Sequence, residues 1–280
     1  MNEYVSYEDV KTYLRITLTT DDTLLKGFCA QASRSFDAAT RRCFYPHIST
    51  RYYDHPYSPD RLELMDDLLE VSAFTTQNTA ITLTASDYYL MCGYQHNLMP
   101  YDRIVMRIDG NYPTLSYNET WQKANCVVGI WGYHEDWANA WDAVDVVGVG
   151  GINASSTSLL VIDADGTDLE GNTPRFKIHN LLKVEDEYMY VTARDAATNI
   201  LTVRRAMNGT TAAVHLAAAT VSVYRPMDDI SNAVKRLAAW LYAQKDTPYT
   251  ERIQAAQSGA IILPDAMPLD VRLTIARYSR

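Results

Sequence analysis

No stretch of this 280-residue chain approaches the run of ~18–20 apolar residues that a membrane helix needs. The first residues, Met1-Asn2-Glu3-Tyr4, lack the basic-then-apolar order of a secretory signal, so none is expected there. Cysteine is sparse: four residues, Cys29, Cys43, Cys92 and Cys126, with no C-x-x-C pair. That spacing gives no support to a zinc ribbon or a dithiol redox motif, and reduced, partly buried thiols are expected. Basic residues are outnumbered, 25 against 34 acids, for a net charge of -9. Such a chain is a poor tight binder of DNA, which requires cations to displace phosphate counterions. There is no phosphate-cradling G-x-x-x-x-G-K-[ST] loop and no G-x-S-x-G elbow.

What is present describes an ordinary globular chain, 47% hydrophobic and 21% charged, which excludes disorder and collagen-like repeats. Its length suits about two domains. The charge is unevenly spread. Residues 47–150 hold fourteen acids and five bases, whereas residues 1–46 are balanced at six of each. Tyrosine is the outlier, at 20 against 5 phenylalanines. An aromatic body with a hydroxyl suits subunit interfaces and equally the half-buried faces of a wet β-domain.

Ser6 to Ile16 reads as a short helix, with Ser6 as cap and Asp9 at the capping-box position. Thr20-Asp21-Asp22 opens a longer helix with an apolar stripe of Leu24, Leu25, Phe28, Cys29, Ala32, Phe36 and Ala39. Arg41-Arg42 closes it and Pro46 stops it. From His47 to Val147 short alternating runs such as Ile81-Thr82-Leu83-Thr84 and Ile104 to Ile108 predict antiparallel strands, as does the apolar run Asn125 to Tyr133. Gly148-Val149-Gly150-Gly151 reads as a junction. Beyond it, Leu159 to Ile162, Tyr188 to Val191, Ile200 to Val203 and Val221 to Tyr224 read as strands, and Thr210 to Ala219 as a helical turn. Asp228 to Gln244 is a helix with Ile230, Val234, Leu237, Ala238 and Leu241 in phase. A short helix is predicted around Thr250 to Gln257, stopped by Gly259. Leu269 to Tyr278 fits a helix or a strand. An α+β fold follows: a helical domain built from residues 1–46 and 226–280, a β-rich region at 47–147 and a small β-module at 148–225, the β part being a large antiparallel insertion.

Four local patterns invite a chemical reading. His134-Glu135 begins H-E-x-x-H, but the second ligand position is Ala138. Gly148-Val149-Gly150 starts a dinucleotide fingerprint, but the third glycine position is Asn153. Asp163, Asp165, Asp168 and Glu170 resemble a calcium loop, without the glycine at its sixth position or the glutamate at its twelfth; an acidic turn fits better. Glu185-Asp186-Glu187 is a potential carboxylate pair, though strand alternation would divide it between two faces and favours a solvated edge. No catalytic, cofactor-binding or metal-binding set is expected. Trp131, Trp137 and Trp141, with Tyr133, fall close together. Such a cluster stacks on a sugar or base, or anchors a loop on a β-core or on another subunit.

Several segments, taken in order, resemble phage head–tail connector (adaptor) proteins: Tyr4 to Arg15, Asp21 to Leu25, Ala32 to Arg42, Asp87-Tyr88-Tyr89-Leu90, Pro100 to Ile104 and Val128 to Tyr133. The helix Ala233 to Lys245 and Pro268-Leu269-Asp270-Val271 before Tyr278 are similar to later parts of that family. Residues 145–224 depart from it. There, Lys183 to Val191 followed by Arg204 to Ala212 resembles a small β-module of phage structural proteins. The resemblance implies a virion protein at the head–tail interface, assembled in the host cytoplasm. It implies a homo-oligomeric ring, usually a dodecamer, that joins the portal protein to tail or nozzle proteins and surrounds double-stranded DNA without reading its sequence. No membrane contact is implied. The expected portal-facing residues are Val271, Arg272, Leu273, Ile275, Arg277 and Tyr278, on a tail with little core of its own to join; a helix packed back on its own domain is the alternative. The expected interface aromatics are Trp131, Tyr133, Trp137 and Trp141. Part of the acid surplus of 47–150 is expected to face the channel and keep DNA from adhering. A carbohydrate-binding tail or capsid module is the alternative that the tryptophans suggest.

Overall fold

The helices begin where short polar side chains can satisfy or complement the free backbone amides. In the computed structural model, which describes residues 2–96, 98–245, 254–255, 261–262 and 267–280, Ser6 precedes α1 (Tyr7–Leu14) and its Oγ accepts from the Glu8 amide at 3.2 Å. Asp21 precedes α2 (Asp22–Thr40). Arg15 and Arg41 end the two helices in the left-handed conformation. The buried stripe of α2 is Leu25, Cys29, Ala32, Phe36 and Thr40, while Leu24 and Ala39 face solvent. That corrects the broader stripe read from sequence: Leu24 lies beside Leu25 but a full 100° round the helix.

α3 (Asp228–Ala243) buries Ile230, Ala233, Val234, Leu237 and Ala238. Of the span predicted as a helix around 250–257, only Gln254–Ala255 is described; it forms β14 and pairs with β15 (Ile261–Ile262). The rest of that prediction, with Gly259, lies outside the described residues. α4 (Leu269–Tyr278) is a helix, not a strand. α2 packs on α3, α1 on both, and α4 on α2 and α3. These helices, with residues 177–179, make up one compact unit of 1–41, 177–179 and 227–280. The short strap 177–179 was not foreseen. It is held by polar contacts to α1: Ser6 Oγ donates to the Ile178 carbonyl (2.8 Å), the Ile178 amide donates to Glu8 (3.1 Å), and Lys177 pairs with Asp9 (2.7 Å).

The other unit, 42–176 with 180–226, holds two antiparallel sheets. The first contains β1 (His47–Tyr53), β2 (Arg61–Thr76), β3 (Ile81–Leu83), β4 (Tyr88–Cys92), β5 (Gln95–His96), β6 (Tyr101–Met106) and β7 (Asn125–Trp131). Its order is β1-β7-β2-β6-β4-β5, with β3 beside β2. The long β2 pairs with β6 near its start and with β7 further on, shifting register between Glu63 and Leu68 and again before Glu70 and Ala73. Such irregularities bend a strand and let one segment serve two neighbours. Leu62, Leu64, Leu68, Phe74, Ile104, Met106, Leu115, Val127 and Trp131 fill the core against it.

The second sheet contains β8 (Trp141–Val146), β9 (Ser158–Leu160), β10 (Leu181–Val184), β11 (Glu187–Asp195), β12 (Ile200–Arg204) and β13 (Thr220–Tyr224), in the order β8-β13-β10-β11-β12-β9. A bridge between Val147 and Val161 joins the continuations of its two outer strands, so the sheet curls into a small barrel. Leu159, Val161, Leu182, Val184, Met189, Val191, Leu201, Val203, Val221 and Val223 alternate inward and fill it. The module boundary expected at 148 therefore moves to Trp141. Gly148 to Gly151 is a turn inside the module, between β8 and β9 of one sheet, and a Cβ at Gly148 would sit 2.6 Å from the Leu160 side chain. The helical turn predicted over 210–219 is absent. Met207–Gly209 forms a tight turn with Asn208 and Gly209 at positive φ, and the following chain runs out to pair His215 with Ile152.

Candidate functional site

The residues expected to form a docking tail divide by helical phase. Val271 and Tyr278, seven apart on α4, are 0% and 3% exposed, and Ile275 between them is half-buried. The Tyr278 hydroxyl donates to Asp229 at 2.5 Å. The segment thus has a core to join, contrary to the expectation of a coreless tail: Val271, Ile275 and Tyr278 recur at i, i+4 and i+7, the spacing of one helix face. Val271 and Tyr278 are consequently not available to a partner. The opposite face carries Leu269 and Leu273, 60% and 63% exposed, together with exposed Arg272 and Arg277. Arg277 pairs with Asp229 at 3.2 Å.

The expected interface aromatics also separate. Trp131 is fully buried in the core of the first sheet, with Nε1 donating to the Ser49 carbonyl at 2.9 Å and Arg51 stacked 4.9 Å from its ring. Strand alternation places it there, so it is a core residue and not an interface one. Tyr133 is half-buried under the Arg42 guanidinium (4.5 Å) and donates to Glu135 (3.0 Å). Burial raises its hydroxyl pKa well above the ordinary value. Trp137 and Trp141 meet edge to face at 6.2 Å, and Trp141 packs on Tyr188 (5.1 Å) and Tyr224 (5.2 Å). The Tyr224 hydroxyl donates to the Phe44 carbonyl at 2.8 Å. His134 accepts from the Asp136 amide through Nδ1 and faces the Arg225 carbonyl through Nε2 (3.0 Å), which fixes a neutral ring with Nε2 protonated. Burial lowers its pKa. The cluster therefore pins residues 133–141 onto the β-core, one of the two anchoring outcomes that its composition allowed.

The acidic loop is a surface turn, with Asp165 and Glu170 exposed, braced from the barrel side. Asp145, with a side chain 4% exposed, accepts from the Asp163 amide (3.0 Å) and pairs with Arg175 (3.1 Å), which also approaches Asp163 (3.8 Å). Asp168 receives the Glu170 and Asn172 amides in a local turn. Among the described residues no group of three or more His, Cys, Asp or Glu side chains is arranged to hold a metal ion. Of the acids in 47–150, Asp67 pairs with Arg42 (2.6 Å) and Asp87 binds the Thr84 amide (2.8 Å), so both are structural; Asp54, Asp60, Glu70, Glu119, Glu135 and Asp136 are exposed.

The constellation that sequence reading missed is a buried ionic hub in the barrel. Glu187, 1% exposed, accepts five hydrogen bonds: two from Arg205 (2.7 and 2.6 Å), and one each from the Ala206 amide (3.1 Å), the Ala213 amide (2.9 Å) and His215 Nε2 (2.9 Å). These donors outweigh its desolvation and hold its carboxyl down at about 2. Glu185 reaches His215 Nδ1 at 2.7 Å from the surface side. The solvated-edge reading of this acidic run fails at Glu187. A turn at Glu185, with φ 52, breaks the alternation and turns both glutamates toward one histidine. The available signal was contextual: His215 is the only titrating side chain between Arg205 and Tyr224 apart from that tyrosine.

Comparison with protein-family models, with curated proteins and with solved structures found no match.

Proposed function

We propose that this chain is a structural head–tail adaptor of a tailed bacteriophage, a subunit of a ring that joins the portal to the tail around the DNA channel. In this reading residues 1–46 and 226–280 are the adaptor's helical domain. Residues 47–140 are its β-rich body, and the barrel from Trp141 to Tyr224 is an added module. The ordered set of connector-like segments supports the reading. The observation that carries it is the two-sided α4: Val271 and Tyr278 seat the helix, while Leu269, Leu273, Arg272 and Arg277 remain outward as an apolar pair flanked by cations. Arginine beside exposed leucine suits a partner surface of apolar side chains rimmed by carboxylates. The portal contact is accordingly assigned to Leu269, Arg272, Leu273 and Arg277.

The test is binding to the cognate portal. Leu273→Asp is expected to leave the melting temperature unchanged and to abolish portal capture; capture equal to the wild type would refute the assignment. Deleting residues 264–280 is not a clean test, since it removes Val271 and Tyr278 from the helical core. The carbohydrate alternative finds less support, because the faces of Trp131 and Trp141 are occupied by Arg51, Tyr188 and Tyr224.

A further inference from the structure

Both ring nitrogens of His215 face glutamates: Nδ1 lies 2.7 Å from Glu185 and Nε2 lies 2.9 Å from Glu187, with the residue 1% exposed. An ionised carboxylate only accepts hydrogen bonds, and a neutral imidazole carries a single N–H. A neutral ring in this setting therefore points a lone pair at a carboxylate. His134 has the opposite arrangement: its Nδ1 accepts from an amide, and one ring proton satisfies it.

The charges around the ring agree with the geometry. From the turn before β11 it faces Glu185 and Glu187, with Asp186 exposed between them. From the chain after β12 it shares Glu187 with Arg205. Residues 148–156, which include its backbone partner Ile152, carry no acidic or basic side chain, and its own loop 206–219 carries none besides His215 itself. Arg205 and Glu187 neutralise each other, so a second proton on the ring is what balances Glu185. Such balance weighs most where water is excluded.

We propose that His215 is a pH-sensitive clasp on the barrel rim, closed when its ring holds two protons and half-open when it holds one. The proton that leaves is the one on Nδ1. Glu185 is 60% exposed and can turn to water, whereas Glu187 is fixed by four further donors. The neutral ring keeps Glu187 but is left with a buried Nδ1 that has lost its partner, which weakens the seam it sits on. That seam is close. Ile152 and His215 exchange backbone hydrogen bonds, both at 2.9 Å, and a Cβ at Gly151 would stand 2.5 Å from the His215 carbonyl. It fixes the exposed Val214 and Leu216, the neighbours of His215 in the chain. The Glu187 arm holds down to about 2. The Glu185 arm is closed on the acid side of the ring's titration and opens as pH rises through it. The clasp belongs to the barrel module and does not depend on the adaptor reading.

Nitrogen NMR of the full chain, labelled at histidine, reads the ring directly, because a ring nitrogen without a proton resonates far from one that carries it. Between about pH 5 and about pH 9 the His215 ring is expected to pass from two protons to one, with the loss at Nδ1. Over the same titration the hydrogen-exchange protection of the Ile152 and His215 amides, corrected for the intrinsic rate, is expected to fall roughly tenfold. Protection of Val127 in the first sheet should not change. Glu185→Gln separates the clasp from a general loosening: its amide accepts from a protonated Nδ1 and donates to a bare one, so protection at Ile152 and His215 is expected to stay level throughout. A ring with one proton at every pH, a ring that keeps both to the alkaline end, or a proton lost first from Nε2 overturns the proposal. So does protection that falls equally in wild type and Glu185→Gln.

Discussion

The two sheets of the β unit handle polar groups differently. The first sheet keeps most of its ion pairs at the surface, Arg103 with Asp102 (3.2 Å) and Glu63 (3.4 Å) and Arg107 with Asp109 (3.2 Å), and buries one, Asp67 with Arg42 (2.6 Å). Its core cluster is apolar, and its shape comes from register shifts along β2. The barrel instead buries one charge cluster, Glu187–Arg205–His215, at its rim and satisfies Glu187 with five donors. A surface pair adds little stability and tolerates change. A buried, saturated carboxylate ties distant loops together, and its partners depend on one another. The barrel thus presents fixed loops, whereas the first sheet presents a charged, replaceable surface.

The contrast breaks or sharpens by mutation. Glu187→Ala leaves Arg205 buried without its carboxylate and is expected to cost about 3–5 kcal/mol in urea unfolding; a loss below ~1 kcal/mol would place the hub with ordinary surface pairs. The same group gives a pH signature. Its carboxyl is held down at about 2, so its stabilisation is complete above the usual carboxylate range and is lost as pH falls toward 2. Glu187→Gln should flatten that acid limb. Asp37 of the helical unit runs the other way. Burial pushes it up to about 6, against the hydrogen bond from Tyr4 and the charge of Arg34. Its contribution is therefore greatest at low pH and declines as pH rises through 6, a decline that Asp37→Asn should remove.

Gly151→Ala forces a Cβ against the His215 carbonyl at a positive φ and is expected to cost about 1–3 kcal/mol, read as a lower melting temperature. At the small end, Arg103→Ala in the first sheet should change stability by about 0–1 kcal/mol, since Arg103 pairs at the surface. A larger loss would erase the contrast between the sheets.

β11, β12 and β13 of the barrel were legible because their alternation is regular, with Met189 and Val191, Leu201 and Val203, Val221 and Val223 pointing inward, whereas β8 and β10 were not singled out. β2 was not, because its register shifts bury Asp67, Leu68 and Leu69 in succession and interrupt the period of two. α4 was half read. The i, i+4, i+7 spacing of Val271, Ile275 and Tyr278 was visible, but the two prolines before it suggested a segment leading away from the core. The hub escaped entirely, since Glu187 and His215 are brought together only by barrel closure and by the loop that follows Arg205. Trp131 was assigned outward on residue type, although its place at the end of an apolar strand was the better guide.

The central claim is that the chain forms a ring which docks on a portal. Electron-microscopic class averages of the purified protein, alone and mixed with its portal, test it most directly. The account predicts closed rings with a central channel, stacked coaxially on the portal and lost from it in Leu273→Asp. Dispersed monomers that leave the portal bare would contradict it.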